Sequence, residues 1–229
     1  MAAPQTAIYS EREYREEPAL LGALDPPRRS PTARAIKRLV DIVGALAGLM
    51  IGMVAYLVYH RRIRRESGGS VIFRQARVGE QGRVFEMFKF RTMTTDAEAA
   101  LERLHAHNEM RGPVFKIRND PRIIPLGKWL RRYHVDEMPQ FWNVLKGEMS
   151  LVGPRPPTPG EVERYSPVHL LRLRVKPGLT GLWQVYGNSV YDFEDIVKLD
   201  CHYIDRWSLW LDLKILIRTI PKLLKGKGW

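Results

Sequence analysis

The sequence predicts a membrane-associated α/β protein with one N-terminal membrane helix, a small β-hairpin or sheet, and amphipathic helices of which some lie along the membrane interface. Three observations carry that expectation. From Ile42 to Tyr59 eighteen residues pass without a charge, at the lower limit for crossing a bilayer. Val71 to Arg91 reads as two short strands around a glycine-containing turn, with Arg83, Lys89 and Arg91 alternating with apolar residues in the second half. Between Ser208 and Leu224, Trp210, Leu213, Ile217 and Ile220 recur at helical spacing, while Lys214, Arg218 and Lys222 share the opposite side. That pattern suits a helix lying in an interface and, equally, one packed on a core.

A chain of 229 residues can bury one ordinary core. It divides into a poorly ordered tail over 1–34, rich in Glu, Arg, Ala and Pro, a membrane helix with basic flanks over 35–66, and a single cytoplasmic domain over 67–229. The formal net charge of +12 suits nucleic acid, an anionic membrane face or a phosphorylated substrate. Its placement favours the membrane: Arg28, Arg29, Arg34, Lys37 and Arg38 precede the apolar run, and Arg61, Arg62, Arg64 and Arg65 follow it. Cations at both ends of an apolar segment point both ends toward the cytoplasmic leaflet. Cys201 is the only cysteine, which excludes an intramolecular disulfide and agrees with a reducing compartment. The N-terminus has neither the cationic start nor the apolar core of a secretion signal.

Within the apolar run, Gly44, Gly48 and Gly52 share one helical face and allow close approach of another element. Ser67 to Ser70 is turn-like and leads into the hairpin. Thr95 to Met110 has helical composition and is ended by Gly112-Pro113. A loop from Lys116 through Pro125 precedes a helix near Leu126 to Arg132, and a second helix runs from Asp136 to about Lys146. Pro139 falls in its first turn and Gly147 ends it. Four prolines between Gly153 and Pro159 forbid regular structure and make a rigid loop. A short helix over Gly160 to Arg174, an extended stretch over Val175 to Asn188, and helices over Phe193 to Tyr203 and Ser208 to Leu224 complete the chain.

The chemistry concentrates at Asp136 and Glu137. Taken alone, Asp136 is a good helix N-cap and Glu137 suits a first turn, so a structural pair is the plainer reading. Arg131 lies five residues before Asp136, and Arg155 nineteen after it inside the proline-rich loop. A guanidinium fork matches phosphate oxygens, and a rigid loop holds that fork at low entropic cost. The same cations and helix end are expected to keep Asp136 ionised, so that it can attack phosphorus and form an acyl phosphate. Offsetting phosphoryl charge calls for a hard divalent ion such as Mg2+, with Asp136 and Glu137 as its ligands. The six histidines make no metal set: His105 and His107 face different directions on a helix, and His60, His134, His169 and His202 are scattered.

The run Leu130-Arg131, Asp136-Glu137, Pro139-Gln140, Asn143-Val144-Leu145, Gly147, Met149-Ser150 and Val152-Gly153-Pro154-Arg155-Pro156 resembles the signature of the bacterial sugar transferase family, the monotopic phosphoglycosyl transferases. The resemblance extends through Phe73-Arg74-Gln75, Lys89-Phe90-Arg91-Thr92-Met93 and Lys176-Pro177-Gly178, and covers about residues 37 to 228. It implies a re-entrant membrane hairpin bent by a Ser-Pro pair. Here the matching positions hold Met53 and Val54, no proline occurs between Pro31 and Pro113, and a straight spanning helix is the alternative. Glu148 stands where the family has aspartate. Larger relatives carry further membrane helices before this part, so the chain resembles a minimal form.

The resemblance implies that Asp136 attacks the sugar-side phosphate of a UDP-sugar, releases UMP, and passes the phosphosugar to undecaprenyl phosphate. Glu137 and Mg2+ assist, and Arg131, Arg155, Lys89 and Arg91 bind phosphate. Implied partners are the two substrates and membrane lipids, with no nucleic acid and room for a homo-oligomer. The implied location is the bacterial inner membrane, with the catalytic domain on its cytoplasmic face. A non-catalytic scaffold and a membrane-tethered nucleic-acid binder are the rival readings, and the sugar stays open.

Overall fold

The structure, a computed structural model, describes residues 29–100, 104, 117, 120–186 and 192–226. Most of the predicted tail, and much of the expected Thr95 to Met110 helix and the loop after it, lie outside that set.

Helix α1, Pro31–Ser67, contains 37 residues and starts earlier than the sequence predicted. Pro31 occupies its first turn, where a missing N–H costs nothing, and Gly68 ends it at φ 72° with its N–H on the Arg64 carbonyl. The helix passes through Met53 and Val54 without interruption, since no proline there removes a backbone hydrogen bond. At 1.5 Å per residue it is about 55 Å long, more than a bilayer core of about 30 Å. Among the described residues it alone is long and apolar enough to cross a membrane, and 17% of its most apolar window is buried.

One face of α1 is nevertheless packed. Asp41, Ala45, Gly48, Gly52, Ala55 and Ile63 are buried at helical spacing. A Cβ on Gly44 would lie 2.6 Å from Leu151, one on Gly48 2.4 Å from the Phe141 ring, and one on Gly52 3.2 Å from the Met138 Cβ. The glycine face is therefore a seam onto the domain. Polar groups extend it: the Asp41 carboxylate accepts from Ser150 Oγ and Leu151 N–H at 2.9 Å each, and Glu66 accepts from Leu126 N–H at 2.8 Å. Two of the basic flanking residues serve the domain as well. Lys37 bonds Asp212 at 2.7 Å, and Arg38 donates to the Val144 and Leu145 carbonyls at 2.7 and 2.6 Å. Arg61, Arg62, Arg64 and Arg65 stay exposed.

Strands β1, Ile72–Val78, and β2, Val84–Phe90, form the expected antiparallel hairpin, with Ile72 opposite Phe90 and Val78 opposite Val84. Its turn places Gln81 and Gly82 at positive φ. Thr95 to Ala100 form turns in place of the first part of the expected helix. Helix α2, Pro125–Arg132, leads to a 3-10 segment, Val135–Gln140, and helix α3, Phe141–Lys146, which Gly147 ends at φ 85°. Asn143, fully buried, ties α3 to the free edge of β2: its Oδ1 accepts from Phe88 N–H at 3.1 Å and its Nδ2 donates to the Glu86 carbonyl at 2.6 Å.

A second, parallel pair joins β3, Ser150–Val152, to β4, Gly178–Thr180. The expected extended stretch after Val175 thus supplies only a short strand. Residues 182–186 turn into helix α6 once two still shorter helices, α4, Pro159–Val162, and α5, Pro167–Leu170, have replaced the single helix expected before Arg174. Pro167 breaks that helix because its ring cannot sit mid-helix. Helices α7, Phe193–Asp205, and α8, Leu209–Leu224, match the expectation. On α8 the buried residues are Asp212 and Ile215, whereas Trp210, Ile217 and Ile220 are more than half exposed. The apolar stripe looks outward, as an interface helix requires.

Replacing Gly48 by Val forces a side chain into the Phe141 ring and is expected to cost about 1–3 kcal/mol, lowering the unfolding midpoint in detergent by several degrees. Gly160→Ala, at a position with nothing within 4 Å of an added Cβ, is the control and should leave the midpoint unchanged or slightly higher.

Candidate active site

His134 holds the left-handed conformation at φ 55°, and this reversal between α2 and the 3-10 segment turns the next two side chains inward. Asp136 consequently sits within the first turn of that segment, two residues past its N-cap His134, and does not take the capping position predicted for it. It is 6% exposed, and its carboxylate makes no hydrogen bond to any described residue.

Glu137 takes the partners instead. Lys89 Nζ donates to Glu137 Oε1 at 3.0 Å, and His134 Nδ1 lies 3.9 Å from Oε2. Burial favours protonation of Glu137, but the Lys89 and His134 charges outweigh it and hold this carboxyl well below its ordinary range. The nearby Glu137 carboxylate in turn raises the His134 imidazole, against the effect of burial. At Asp136 the balance reverses. Burial, then the charge on Glu137, push it above the usual carboxylate range despite Lys89, Arg131 and His134. The cations expected to favour ionised Asp136 do act on it, but burial and Glu137 outweigh them, and Lys89 is bonded to its neighbour.

The predicted phosphate ligands fare differently. Arg131 lies close enough to Asp136 for its charge to act there, and its Nε donates to Thr92 Oγ1 at 2.9 Å. Lys89 sits at the carboxylates. Arg155 donates to Glu161 Oε1 at 3.3 Å and lines the same cavity, about 1920 Å³ in volume, as Asp136, Glu137 and Lys89. Arg91 also lines it, but its guanidinium turns to Ser70, donating to the carbonyl at 2.8 Å and the hydroxyl at 3.2 Å. It follows the last strand residue, and the structure does not bring it to the carboxylates.

Three groups in the site were missed by sequence reasoning. His134 reads in the sequence as one of the scattered histidines, although its position two residues before Asp136 is a usable signal. Arg77 is buried on β1, where burial and the charge of Arg155 lower its guanidinium to about 9. Gln75 and Arg77 share a strand face by their spacing of two, the one local sign that they act together. Glu161 is buried beside Arg155 and Arg77, whose charges hold its carboxyl low against burial. Gln140 Nε2, Trp183 Nε1 and Gln184 Oε1 are buried without partners among the described residues, and their side chains line the cavity. Unmet buried donors and acceptors on a cavity wall suit a polar ligand.

Among the described residues no group of three or more His, Cys, Asp or Glu could hold a metal. Mg2+, however, is commonly held by one or two carboxylates together with substrate phosphates. An unpartnered buried Asp136 beside an ionised Glu137 fits that donor set.

The carboxylates of buried Asp136 and half-buried Glu137 and the loop that carries Arg155 open on one cavity, beside a helix long and apolar enough to cross a membrane. The chain belongs to the bacterial sugar transferase family, whose model matches residues 32–226. It is 50% identical over 193 residues to the galactosyl transferase CpsE of Streptococcus agalactiae serotype III, covering 84% of this chain and 43% of that protein. It is 40% identical over 203 residues to the undecaprenyl-phosphate galactose phosphotransferase of Salmonella typhimurium, covering 86% and 42%. Over 203 residues it is 36% identical to the exopolysaccharide production protein ExoY of Rhizobium meliloti, covering 86% and 89%. The chain thus spans under half the length of the first two relatives and most of the third.

Because burial raises Asp136, its carboxyl gains protons on folding, so the ionised form opposes folding above its raised pKa and the penalty vanishes as pH falls below it. Asp136→Asn is therefore expected to raise the unfolding midpoint at pH 7.5, with the gain shrinking on acidification. A pH series of thermal melts checks both the sign and the trend.

Proposed function

We propose that this chain transfers a phosphosugar from a UDP-sugar to undecaprenyl phosphate and releases UMP, an initiating step of surface glycan or glycoconjugate assembly. The carrying observation is the buried, unpartnered Asp136 carboxylate in the same cavity as Lys89 and Arg155. An Asp136 oxygen attacks the phosphorus that bears the sugar. The bond from that phosphorus to the oxygen of UMP breaks, and UMP leaves with the electron pair. The resulting aspartyl phosphosugar is then attacked by a phosphate oxygen of the polyprenyl carrier, which cleaves the acyl–phosphate bond and frees Asp136. Two displacements at one site let two bulky substrates use it in turn.

Lys89, Arg131 and His134 all pull Asp136 toward the ionised form that attack requires. Arg155 presents its remaining guanidinium nitrogens to the phosphates from a loop with little freedom. When bound at Asp136 and Glu137, Mg2+ would supply further neutralisation of phosphate charge. The relatives' names include a galactose phosphotransferase and, in Aeromonas hydrophila, an N-acetylgalactosaminephosphotransferase, so hexoses of the galacto series are the first to try.

The same reading gives a topology. Contacts between the domain and α1 from Lys37 to Glu66 support a helix that lies against the domain in one leaflet. The outer faces of α1 and α8 rest in the cytoplasmic leaflet of the inner membrane, and the exposed arginines from Arg61 to Arg65 face anionic headgroups. This is a monotopic arrangement, with the cavity opening toward the carrier.

UMP release measured across a panel of UDP-sugars with undecaprenyl phosphate tests the reading. Asp136→Asn should lower the rate at least about a thousandfold, the scale seen when a covalent nucleophile is removed; turnover near wild type in that variant contradicts it. Excess chelator should suppress release and added Mg2+ restore it. Activity that persists in chelator refutes the metal.

A further inference from the structure

The loop that carries Arg155 cannot hold itself in place. Between Gly153 and Pro159 four residues are proline and lack an N–H, so its carbonyls must find donors elsewhere. Each of four consecutive carbonyls does. Pro154 accepts from Gly178 N–H at 2.8 Å, Arg155 from Arg172 Nη2 at 3.4 Å, Pro156 from Arg77 Nη1 at 2.8 Å, and Pro157 from Val78 N–H at 2.9 Å. The outer two bonds are backbone pairs. The inner two, at Arg155 and the residue after it, come from buried guanidinium groups.

Both arginines are anchored by the rest of their forks. Arg77 Nε and Nη2 grip Gln75 Oε1 at 3.1 and 2.7 Å, and no carboxylate lies within salt-bridge distance of it among the described residues. Arg172 Nε bonds Asp200 at 2.7 Å, with both side chains almost wholly buried, and its Nη1 donates to the Tyr165 hydroxyl at 2.6 Å. A lysine could not reach two or three such acceptors at once. A buried cation facing neutral oxygens contributes little to stability for the desolvation it costs. It does fix where those oxygens sit.

We propose that Arg77 and Arg172 are positioning residues that hold the Arg155 backbone from its two sides, so that the Arg155 fork meets a diphosphate already oriented. Glu161 completes the clamp: Oε1 holds Arg155 Nη1, while Oε2 accepts from Thr158 N–H at 2.7 Å and caps α4. Arg77 lines the same cavity as the carboxylate pair. The inference rests on the proposed function for the identity of the anion, and on geometry alone for the clamp.

Calorimetric binding of inorganic pyrophosphate tests it without turnover. Arg77→Lys and Arg172→Lys keep the charge and lose the fork, and each should weaken binding about tenfold, the loss of one well-aimed charged contact. In an Arg155→Ala background either change should add less than about twofold, because its route to the ligand is gone. If Arg172→Lys fails to fold, Tyr165→Phe, which frees one Arg172 nitrogen, is read the same way. Losses that add fully to Arg155→Ala, or unchanged affinity in folded single variants, overturn the proposal. UMP release by the wild type, run in parallel, separates the two readings: pyrophosphate binding that depends on Arg155 without UMP release sinks the function and leaves the clamp standing.

Discussion

Lys89 and His134 both commit to Glu137, and that choice leaves Asp136 buried beside a negative neighbour with no hydrogen bond of its own. Adjacent carboxylates in one low-dielectric site are pushed apart in proton affinity, and the partnered one takes the charge. Here the consequence is a division of labour. Glu137 is a fixed anion that organises the cations, and Asp136 is the group whose unsatisfied oxygens face the cavity. The left-handed His134 makes the arrangement geometrically available by turning the chain just before the pair.

The membrane helix is part of the same construction. Its glycine face lies on Met138, Phe141 and Leu151, which belong to the 3-10 segment, α3 and β3, so the inner side of this apolar helix backs the segment that carries Asp136. Asp41 and Lys37 lock that seam with buried polar contacts, and Arg38 meets the carbonyl end of α3, where a cation is favoured. The proposed transfer between a nucleotide sugar and a lipid phosphate would need a cavity with access to both phases, and residues of this seam, Gly44, Gly48, Met138 and Phe141, line the cavity.

Much of this was legible in the sequence, and the parts that were not share a cause. The uncharged run, the hairpin and the last two helices follow from periodicity, which is local. The signature run announced Asp136, Glu137 and Arg155, although much of it serves structure: Asn143 secures an edge strand, Gly147 ends a helix at positive φ, and Ser150 donates to Asp41. Arg77 was invisible because its partner Pro156 is 79 positions away, and the Lys89–Glu137 pair spans 48. Arg91 shows the converse error. Its alternation with Lys89 predicted a shared face, but the strand stops at Phe90 and its side chain turns back to Ser70. Counting nearby cations does not reveal which carboxylate they serve, so the raised proton affinity of Asp136 is not legible in the sequence.

The central claim is a bond between an Asp136 oxygen and phosphorus. Incubating the protein with a UDP-sugar in the absence of lipid acceptor, then digesting it and mapping peptides by mass spectrometry, measures that bond directly. The account predicts a sugar-phosphate increment on the peptide containing Asp136, removed when undecaprenyl phosphate is added. Lipid-linked product accumulating under conditions where no such increment forms, or an increment carried by another residue, would contradict it.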